Sequence, residues 1–394
     1  MRTRIPNLHS RISAKIEVAQ FRDRHRRFCT LRQFMITVFT PSFADENNTN
    51  AQNLTVKEVV ARMDPARFRV VMFRIGNPDP RIAARPNTRM LLWQGRGNTP
   101  RVMLQMLRRS PDVYFFPRES SLDAAFLAAR AKLRWKSALV SYIVSGGIEE
   151  DGHLPILRRA IREADVVVGN SRHMSETVKK LGGQNVETVY DGIDRRYYYP
   201  PAQPRSIGDR PRVLFAGSFR SYKRADLVVR EAAKHPEWEF RLAGMGEEQS
   251  ACELLARDLK CNNVVFVGHL NATQLGDEMR AARIFFFPSE LEGHPQVLGQ
   301  AAACGLACVA RSFYHPDYVV DGVTGVLATS ADEMSAMLSR LIREPELTAE
   351  MSAAAVAHAQ QFNWDQITEQ WQDILELAVN RRKIHRTTRA PRIA

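Results

Sequence analysis

The sequence has 394 residues, which is enough for two domains with separate hydrophobic cores. An apolar content of 44% and a charged content of 25% are typical of a globular protein and exclude a disordered chain. The net charge of +13 is concentrated at the two ends, because residues 1–34 and 381–394 carry 15 basic and two acidic side chains. Residues 35–380 are therefore neutral, which argues against a nucleic-acid-binding domain with a basic face.

The basic ends predict peripheral segments outside the folded body. We interpret residues 1–34 as a basic extension that is disordered or precedes a true start at Met35, with a basic peripheral helix as the alternative, and residues 381–394 as a basic tail. Such ends could attract an anionic membrane surface, at about 1 kcal/mol per basic side chain near it. No window of roughly 20 apolar residues occurs. We expect a cytoplasmic protein that could lie on the inner face of the membrane.

The five cysteines do not indicate a disulfide framework or a metal centre. Cys304 and Cys308 are four residues apart, but no His or Cys pair stands nearby to complete a tetrahedral zinc site. We expect both to be small core residues in a reducing compartment.

In the first half of the chain, short β-branched or aromatic runs alternate with helical patterns, which is typical of a parallel α/β domain. We assign this first domain to residues 35–196. Its predicted strands are 36–39, 69–73, 89–92, 113–116, 138–142, 166–169 and 187–190. Its predicted helices are 56–63, 102–109, 122–132, 154–164 and 175–181.

A proline-rich segment without periodicity, residues 197–211, predicts a linker to a second domain over residues 212–362. The predicted strands there are 213–216, 239–243, 264–267, 284–287, 308–310 and 326–328. The predicted helices are 225–234, 248–259, 273–281, 295–303, 331–343 and 348–361, followed by a last helix over 363–380. The fold class predicted is α/β, with two Rossmann-like doubly wound domains facing a cleft.

Two strand-to-helix turns of the second domain carry charged residues. After the strand that ends at Phe287, Glu292 and Gly293 precede Pro295, which suits the first turn of a helix. Helix openings leave backbone N–H groups unpaired, so this turn predicts a phosphate site. The turn after Gly217 carries Arg220 and Lys223, which should face the same strand edge as Glu292.

These motifs resemble the second half of retaining glycosyltransferases of the GT-B fold, glycosyltransferase family 4 (glycosyl transferases group 1), over about residues 213–371. Gly217 and Lys223 fall on the family's Gly and Lys, and Glu292 falls on the first acid of its E-x7-E element. Gly305–Val309 matches the family's strand entry, and Asp321–Gly325 matches its D-G-x-x-G turn. Asp191-Gly192-Ile193-Asp194 resembles the family's N-G-V-D turn, with Asp191 in place of Asn.

The sequence departs from the family pattern at three places. The second acid of the E-x7-E element is Gln300, the usual Phe-Gly after the first acid is His294-Pro295, and the usual Arg beside the strand glycine is Ser218. Exchanging a charged for a neutral hydrogen bond at Gln300 costs about 1 kcal/mol of donor binding. Arg220, two residues beyond Ser218, is the expected substitute for the missing cation.

The resemblance implies a nucleotide-diphosphate-sugar donor and a glycan or glycolipid acceptor, with retention of configuration. It also implies that the last helix crosses back to the first domain. In this hypothesis Lys223 and Arg220 clamp the diphosphate, Glu292 holds the sugar and Gln300 holds the ribose. The remaining expected donor-binding residues are Gly217, Ser218, Gly268, Leu270, Gly293, His294, Gln296 and Val297. No metal or cofactor is expected, because fixed cations and N–H dipoles can stabilise the leaving group and no Asp-x-Asp pair occurs.

Other interpretations stay open. A nucleotide-dependent dehydrogenase is disfavoured because Gly244-Met245-Gly246 lacks the third glycine of G-x-G-x-x-G. A non-catalytic nucleotide-sugar-binding relative, or a sugar-nucleotide epimerase of related fold, would fit the same motifs. For the acceptor side, the polar run 47–50 could line the cleft or form a mobile loop, and His153 could border the acceptor or lie on a surface loop. We expect the product to be a cell-envelope polysaccharide or glycolipid.

Overall fold

The computed structural model describes residues 35–388 except 47–50, 134, 145–153 and 203–209. The basic extension 1–34, the polar run 47–50, the segment around His153 and the end of the basic tail lie outside the described residues. The described part of the chain forms two sheets in which every neighbouring pair of strands is parallel. The prediction of two doubly wound α/β domains is confirmed.

The first sheet has seven strands in the order β3-β2-β1-β4-β5-β6-β7. The strands are β1 (Ile36–Phe43), β2 (Phe68–Arg74), β3 (Thr88–Leu92), β4 (Val113–Phe115), β5 (Ala138–Ile143), β6 (Val166–Gly169) and β7 (Val186–Thr188). The connecting helices are α1 (Ala51–Arg62), α2 (Pro80–Ala83), α3 (Thr99–Arg108), α4 (Ser121–Lys132), α5 (Pro155–Glu163) and α6 (Arg172–Lys180).

The second sheet has six strands in the order β10-β9-β8-β11-β12-β13. They are β8 (Arg212–Ala216), β9 (Glu239–Ala243), β10 (Val264–Gly268), β11 (Ile284–Phe287), β12 (Ala307–Arg311) and β13 (Gly325–Ala328). The helices are α7 (Ala225–Lys234), α8 (Gln249–Asp258), α9 (Ala272–Ala281), α10 (Gln296–Ala303), α11 (Ala331–Arg343), α12 (Pro345–Ala359) and α13 (Trp364–Thr388).

Buried apolar side chains form a core on each face of the first sheet and a large core in the second domain. Helix α13 packs in one of the two cores of the first sheet, although it follows the second domain in sequence. Its Trp371 is fully buried, with its ring 5.1 Å from that of Phe115 and 4.8 Å from that of Tyr142. The last helix therefore completes the core of the first domain.

The chain crosses between the domains twice at one place. Ile193 forms a parallel bridge with Asn363, and its N–H donates to the carbonyl of Phe362 at 2.9 Å. Gly192 is required here, because a Cβ atom on it would lie 2.4 Å from the ring of Trp364. The outgoing and returning connections are thus packed side by side.

The end of α13 and the presence of α2 are two differences from the sequence prediction. Helix α13 extends to Thr388, eight residues past the predicted end, so the first part of the predicted basic tail is helical. The short helix α2 was not predicted, because four residues carry no periodic signal; its cap is Asp79, whose side chain accepts from the N–H of Arg81 at 2.9 Å.

Candidate functional site

A cavity of about 720 Å³ lies at the carboxyl ends of β8 and β11. These two strands are neighbours at the point where the strand order of the second sheet reverses. Ligands of open α/β sheets bind at such switch points, and the volume is in the range of small-molecule sites. Its walls are mainly apolar, and Val144 of the first domain closes one side.

The side chains of Lys223 and Glu292 are in contact in this cavity, with Nζ paired to Oε1. A turn of 3₁₀ helix over Ser221–Lys223 places the ammonium of Lys223 at 5.2 Å from the centre of the ring of Phe287, the last residue of β11. Ser289 donates its hydroxyl to the same Oε1 at 2.6 Å. The side chains of Lys223 and Glu292 are only 14% and 13% exposed, so both charges are fixed in a largely desolvated site.

The two turns that carry this pair are joined through their backbones. The N–H of Glu290 donates to the carbonyl of Tyr222 at 2.8 Å, which fixes the distance between the turns after β8 and β11. A fixed ammonium next to a fixed carboxylate can bind a ligand that presents an anion and a hydroxyl at adjacent positions.

Arg220 does not line the cavity, contrary to the expectation that it joins Lys223 in one clamp. The extended backbone before the 3₁₀ turn alternates the side chains: Ser218 lines the cavity, Phe219 is fully buried in the core and Arg220 is exposed. Arg224, the next arginine, is paired with Asp226 and Glu290. Among the described residues that line the cavity, Lys223 is thus the one Lys or Arg.

His294 lines the cavity as a neutral group. Burial lowers the pKa of its imidazole to about 3. The ring stacks on that of Tyr318 at 4.0 Å, and neither ring nitrogen has a hydrogen-bond partner among the described residues. Both ring nitrogens are buried, so His294 contributes a neutral aromatic wall to the cavity and adds no charge.

The opening of α10 faces the same space. Gly293, Gln296, Val297 and Gln300 line the cavity, and Pro295 provides no side-chain hydrogen bond at the N-cap. The helix opening therefore presents backbone N–H groups and the positive end of its dipole to a ligand. Gln300 also lines an adjoining cavity of about 390 Å³ between the domains.

The remaining predicted residues divide in two. Gly217, Ser218 and Leu270 line the cavity, whereas Gly268 does not, and His269 and Leu270 form that wall instead. Gly268 has a positive φ of 72°, and its carbonyl accepts from the N–H of Gly244 at 2.8 Å. Its role is to turn the chain at the end of β10.

The Gly244-Met245-Gly246 motif has a packing role. A Cβ on Gly244 would lie 1.8 Å from the carbonyl oxygen of Gly217, and one on Gly246 would lie 2.4 Å from that of Phe219. The two glycines let the turn after β9 touch the turn after β8. This contact accounts for them without a dinucleotide.

A buried polar network joins the domains behind the cavity. Asp191 is 2% exposed, and its Oδ1 accepts from the hydroxyls of Thr55 at 2.6 Å and Tyr142 at 2.7 Å. From the second domain, Tyr318 donates its hydroxyl to the carbonyl of Asp191 at 2.9 Å. Burial raises the pKa of the Asp191 carboxyl. The network continues to the stacked His294, so the cavity wall depends on both domains.

Sequence reasoning missed several lining residues, because apolar and small side chains carry no signal of a binding role. They are Val144, Ala216, Tyr222, Ala243, Gly244, Met245, Leu275 and Leu291. It also missed Ser289, the hydroxyl that binds Glu292; its position three residues before the acid was the available signal. In the described residues, no group of three or more His, Cys, Asp or Glu is arranged to hold a metal ion.

Residues 201–358 match the family model described as Glycosyl transferases group 1. This segment is therefore similar to group 1 glycosyltransferases. It contains Lys223, Glu292 and the opening of α10, and so most of the cavity wall.

Relatives of known name match part of the chain. The D-inositol 3-phosphate glycosyltransferase of Acidothermus cellulolyticus is 30% identical over 259 residues, which cover 58% of this chain and 56% of the relative. That of Frankia alni is 30% identical over 238 residues, covering 52% and 58%. The matched part thus spans little more than half the length of these relatives.

Solved structures share the arrangement of both domains. Sucrose-phosphate synthase from Thermosynechococcus elongatus has a TM-score of 0.70 at 17% identity and covers 87% of this chain and 98% of that one. Anabaena HepE, solved in complex with UDP-glucose, has a TM-score of 0.69 at 19% identity and covers 87% and 100%. At these identities the likeness establishes the GT-B fold, and residues 201–358 belong to the second domain of that fold.

Proposed function

We propose that the protein is a family 4 glycosyltransferase that moves a sugar from a nucleotide-diphosphate donor to a glycan or lipid-linked acceptor, with retention and without a metal. The observation that carries this proposal is the contact between Lys223 and Glu292 in the cavity at the switch point of the second sheet. The match of this segment to group 1 glycosyltransferases supports it. Because HepE is solved with UDP-glucose, a uridine diphosphate sugar is the first donor to test.

Each lining group has a role in this proposal. Lys223 binds the diphosphate as the single cation, and the N–H groups at Gln296 and Val297 bind it from the helix opening. Glu292 leaves its ion pair with Lys223 to accept from sugar hydroxyls. Gln300 binds the ribose with its amide.

The chemical step breaks the bond between the anomeric carbon and the phosphate oxygen and forms one to the acceptor oxygen. The acceptor proton passes to the departing phosphate oxygen, which lies on the same face of the sugar. The ammonium of Lys223 stabilises the negative charge that develops on the leaving diphosphate, a term that is usually large in such sites.

The acceptor enters from the first domain in this proposal. Val144, which closes one side of the cavity, is the last described residue before the segment 145–153. The adjoining interdomain cavity meets the donor cavity at Gln296 and Gln300 and provides a second polar wall. The glycan or glycolipid acceptor and the cell-envelope product rest on the resemblance and remain proposals.

Two measurements test the donor proposal. Nucleotide sugars are first screened for thermal stabilisation, since a ligand at 100 times its Kd adds about 2.7 kcal/mol. Transfer and hydrolysis of the stabilising donor are then compared in wild type, Lys223→Ala and Lys223→Arg. Loss of the one cation should lower kcat by about 10²–10³-fold, and arginine should restore part of it.

Lys234→Ala is the matched control, because Lys234 is paired with Glu231 on α7 and lies outside the cavity. It should leave turnover unchanged. Turnover that is equal in Lys223→Ala and wild type would refute the role of Lys223, and the absence of stabilisation by every nucleotide sugar would refute the donor class.

A non-catalytic nucleotide-sugar-binding protein is the second candidate. It is favoured by Ser218 and Gln300 at positions where the resembling family has an arginine and an acid, and by the position of Arg220 outside the cavity. Donor stabilisation without turnover in wild type over a panel of acceptors would select this candidate.

A further inference from the structure

A groove of about 770 Å³ lies in the first domain, between α3 and one face of β1, β2 and β3. Its floor is formed by apolar side chains of the sheet, Phe39, Val71 and Leu91. The side chains of Arg69 and Arg89 stand on the same sheet face near the amino ends of their strands. The donor cavity lies at the carboxyl ends of the strands of the other sheet, so the groove is a separate site.

Four guanidinium groups line this groove, those of Arg69, Arg89, Arg108 and Arg109. None of the four forms a hydrogen bond or ion pair with another residue of the described chain, and no Asp or Glu lines the groove. Arg108 and Arg109 end α3, where basic residues favour the helix dipole, but that effect does not account for Arg69 and Arg89. The groove therefore concentrates positive charge that the described protein does not neutralise.

The outer side of α3 is apolar. Leu104 and Leu107 are each 48% exposed, and Arg101 and Arg108 lie seven residues apart between them and the groove on the helical projection. Exposed leucines beside a stripe of arginine are typical of a surface that enters the headgroup region of a membrane.

The first described strand and the last described helix both reach this edge of the first domain. β1 begins at Ile36, so residues 1–34 join it at its amino end. At the other end of the chain, Arg382 in α13 donates to the carbonyl of Trp135 at 2.6 Å, and Trp135 in turn donates its ring N–H to Ser110, which lines the groove. The start of β1 and Arg382 in α13 therefore lie at the same end of the first domain as the arginine groove.

We propose that this face, the groove together with the outer side of α3, docks on a bilayer that contains anionic phospholipid. Headgroup phosphates enter the groove and bind Arg69, Arg89, Arg108 and Arg109, while Leu104 and Leu107 insert between the headgroups. Each basic side chain near an anionic surface strengthens binding about fivefold. This docking does not depend on the donor chemistry proposed above.

The test uses full-length protein and sedimentation with vesicles of phosphatidylglycerol and phosphatidylcholine, or of phosphatidylcholine alone. The groove variant combines Arg69→Gln, Arg89→Gln, Arg108→Gln and Arg109→Gln. The matched control removes the same charge from helices of the second domain, with Arg230→Gln, Arg257→Gln, Arg340→Gln and Arg343→Gln. Circular dichroism and thermal melting establish that each variant is folded.

We expect wild type to bind the anionic vesicles and not the neutral ones, and to bind more weakly at high salt, where the screening length is short. The groove variant should lose at least tenfold in partition coefficient, with an upper limit of about 600-fold for four arginines, and the control should stay within about twofold. A third variant, Leu104→Ser with Leu107→Ser, should weaken binding while keeping its salt dependence.

Three results would overturn the proposal. The first is wild-type binding that does not distinguish anionic from neutral vesicles. The second is an equal loss in the groove variant and the control, which would assign the effect to net charge and the ends alone. The third is tighter retention on duplex DNA than on anionic vesicles at the same salt, or full competition by soluble glycerol phosphate, which would assign the groove to a different ligand.

Discussion

Replacing His294 with phenylalanine should remove part of the acid sensitivity of this protein. Burial lowers the pKa of His294 to about 3, whereas an unfolded histidine titrates near 6.5. As pH falls below 6.5, His294 therefore takes up a proton in the unfolded chain but stays neutral in the folded chain. The stability present at neutral pH is lost between about pH 6.5 and about pH 3.

The size of this loss follows from the two pKa values. The solution at pH 5 is about 1.5 units below the pKa of the unfolded imidazole, so protonation of the unfolded chain lowers the unfolding free energy by about 2 kcal/mol. Phenylalanine keeps an aromatic ring against Tyr318, whose ring centre lies 4.0 Å from that of His294. No protein hydrogen bond is lost, since neither ring nitrogen has a partner among the described residues.

The assay is urea unfolding of wild type and His294→Phe at pH 7 and pH 5. Between these pH values wild type should lose about 2 kcal/mol more than the variant, and other titrating groups cancel in the comparison. An equal loss in both proteins would show that His294 can take up a proton in the folded state, and would refute the buried, neutral imidazole on which its role in the cavity rests.

Three further substitutions test the contacts between the domains and the last helix. Burial raises the pKa of Asp191, so the folded state holds its proton more strongly and wild type loses stability as pH rises through the folded pKa. Asp191→Asn should abolish this loss, so that the unfolding free energy of the variant, measured in urea, rises relative to wild type from acid to alkaline pH. Parallel pH profiles of the two proteins would contradict this expectation. Gly192→Ala places a Cβ 2.4 Å from the Trp364 ring and should cost about 1–3 kcal/mol, measured as a lower Tm; an unchanged Tm would exclude the tight crossing. Trp371→Ala empties a fully buried site and should cost about 3–5 kcal/mol in denaturant unfolding, whereas a loss below 1 kcal/mol would mean that α13 is not part of the core.

The strands could be predicted from the sequence because each is a short β-branched or aromatic run between turn residues. Those at Glu239–Ala243 and Ile284–Phe287 have the predicted bounds, and all thirteen strands of the two named sheets coincide with a predicted run. The doubly wound topology follows from the alternation of strands and helices. The helices Ala51–Arg62 and Arg172–Lys180 begin five and three residues before the predicted starts at 56 and 175.

The directions in which the side chains of Arg220 and Lys223 point after β8 could not be predicted. Spacing alone put Arg220 and Lys223 in one turn, but a 3₁₀ turn over Ser221–Lys223 turns Lys223 to Glu292 and leaves Arg220 exposed. Sequence patterns report which residues share an element; they do not report where a three-residue turn points its last side chain.

The network around Asp191 was also beyond sequence reasoning. Its partners Thr55, Tyr142 and Tyr318 are separated from it by 136, 49 and 127 residues, and each is an ordinary polar residue in its own segment. The fold of the first domain brings the hydroxyls of Thr55 and Tyr142 to the carboxyl, and the packing of the two domains brings that of Tyr318 to the backbone carbonyl of Asp191. The sequence shows Asp191 where the resembling family has Asn, but it gives no physical reason for the exchange.

The return of α13 to the first sheet has a consequence for biosynthesis. Since Trp371, Ile374 and Leu375 fill the core beneath that sheet, the amino-terminal half cannot bury one of its faces until α13 has been synthesised. The second domain, which is inserted between the parts of the first, is a contiguous unit and can fold earlier. We expect a released chain truncated before Trp364 to have a protease-sensitive amino-terminal half attached to a resistant second domain.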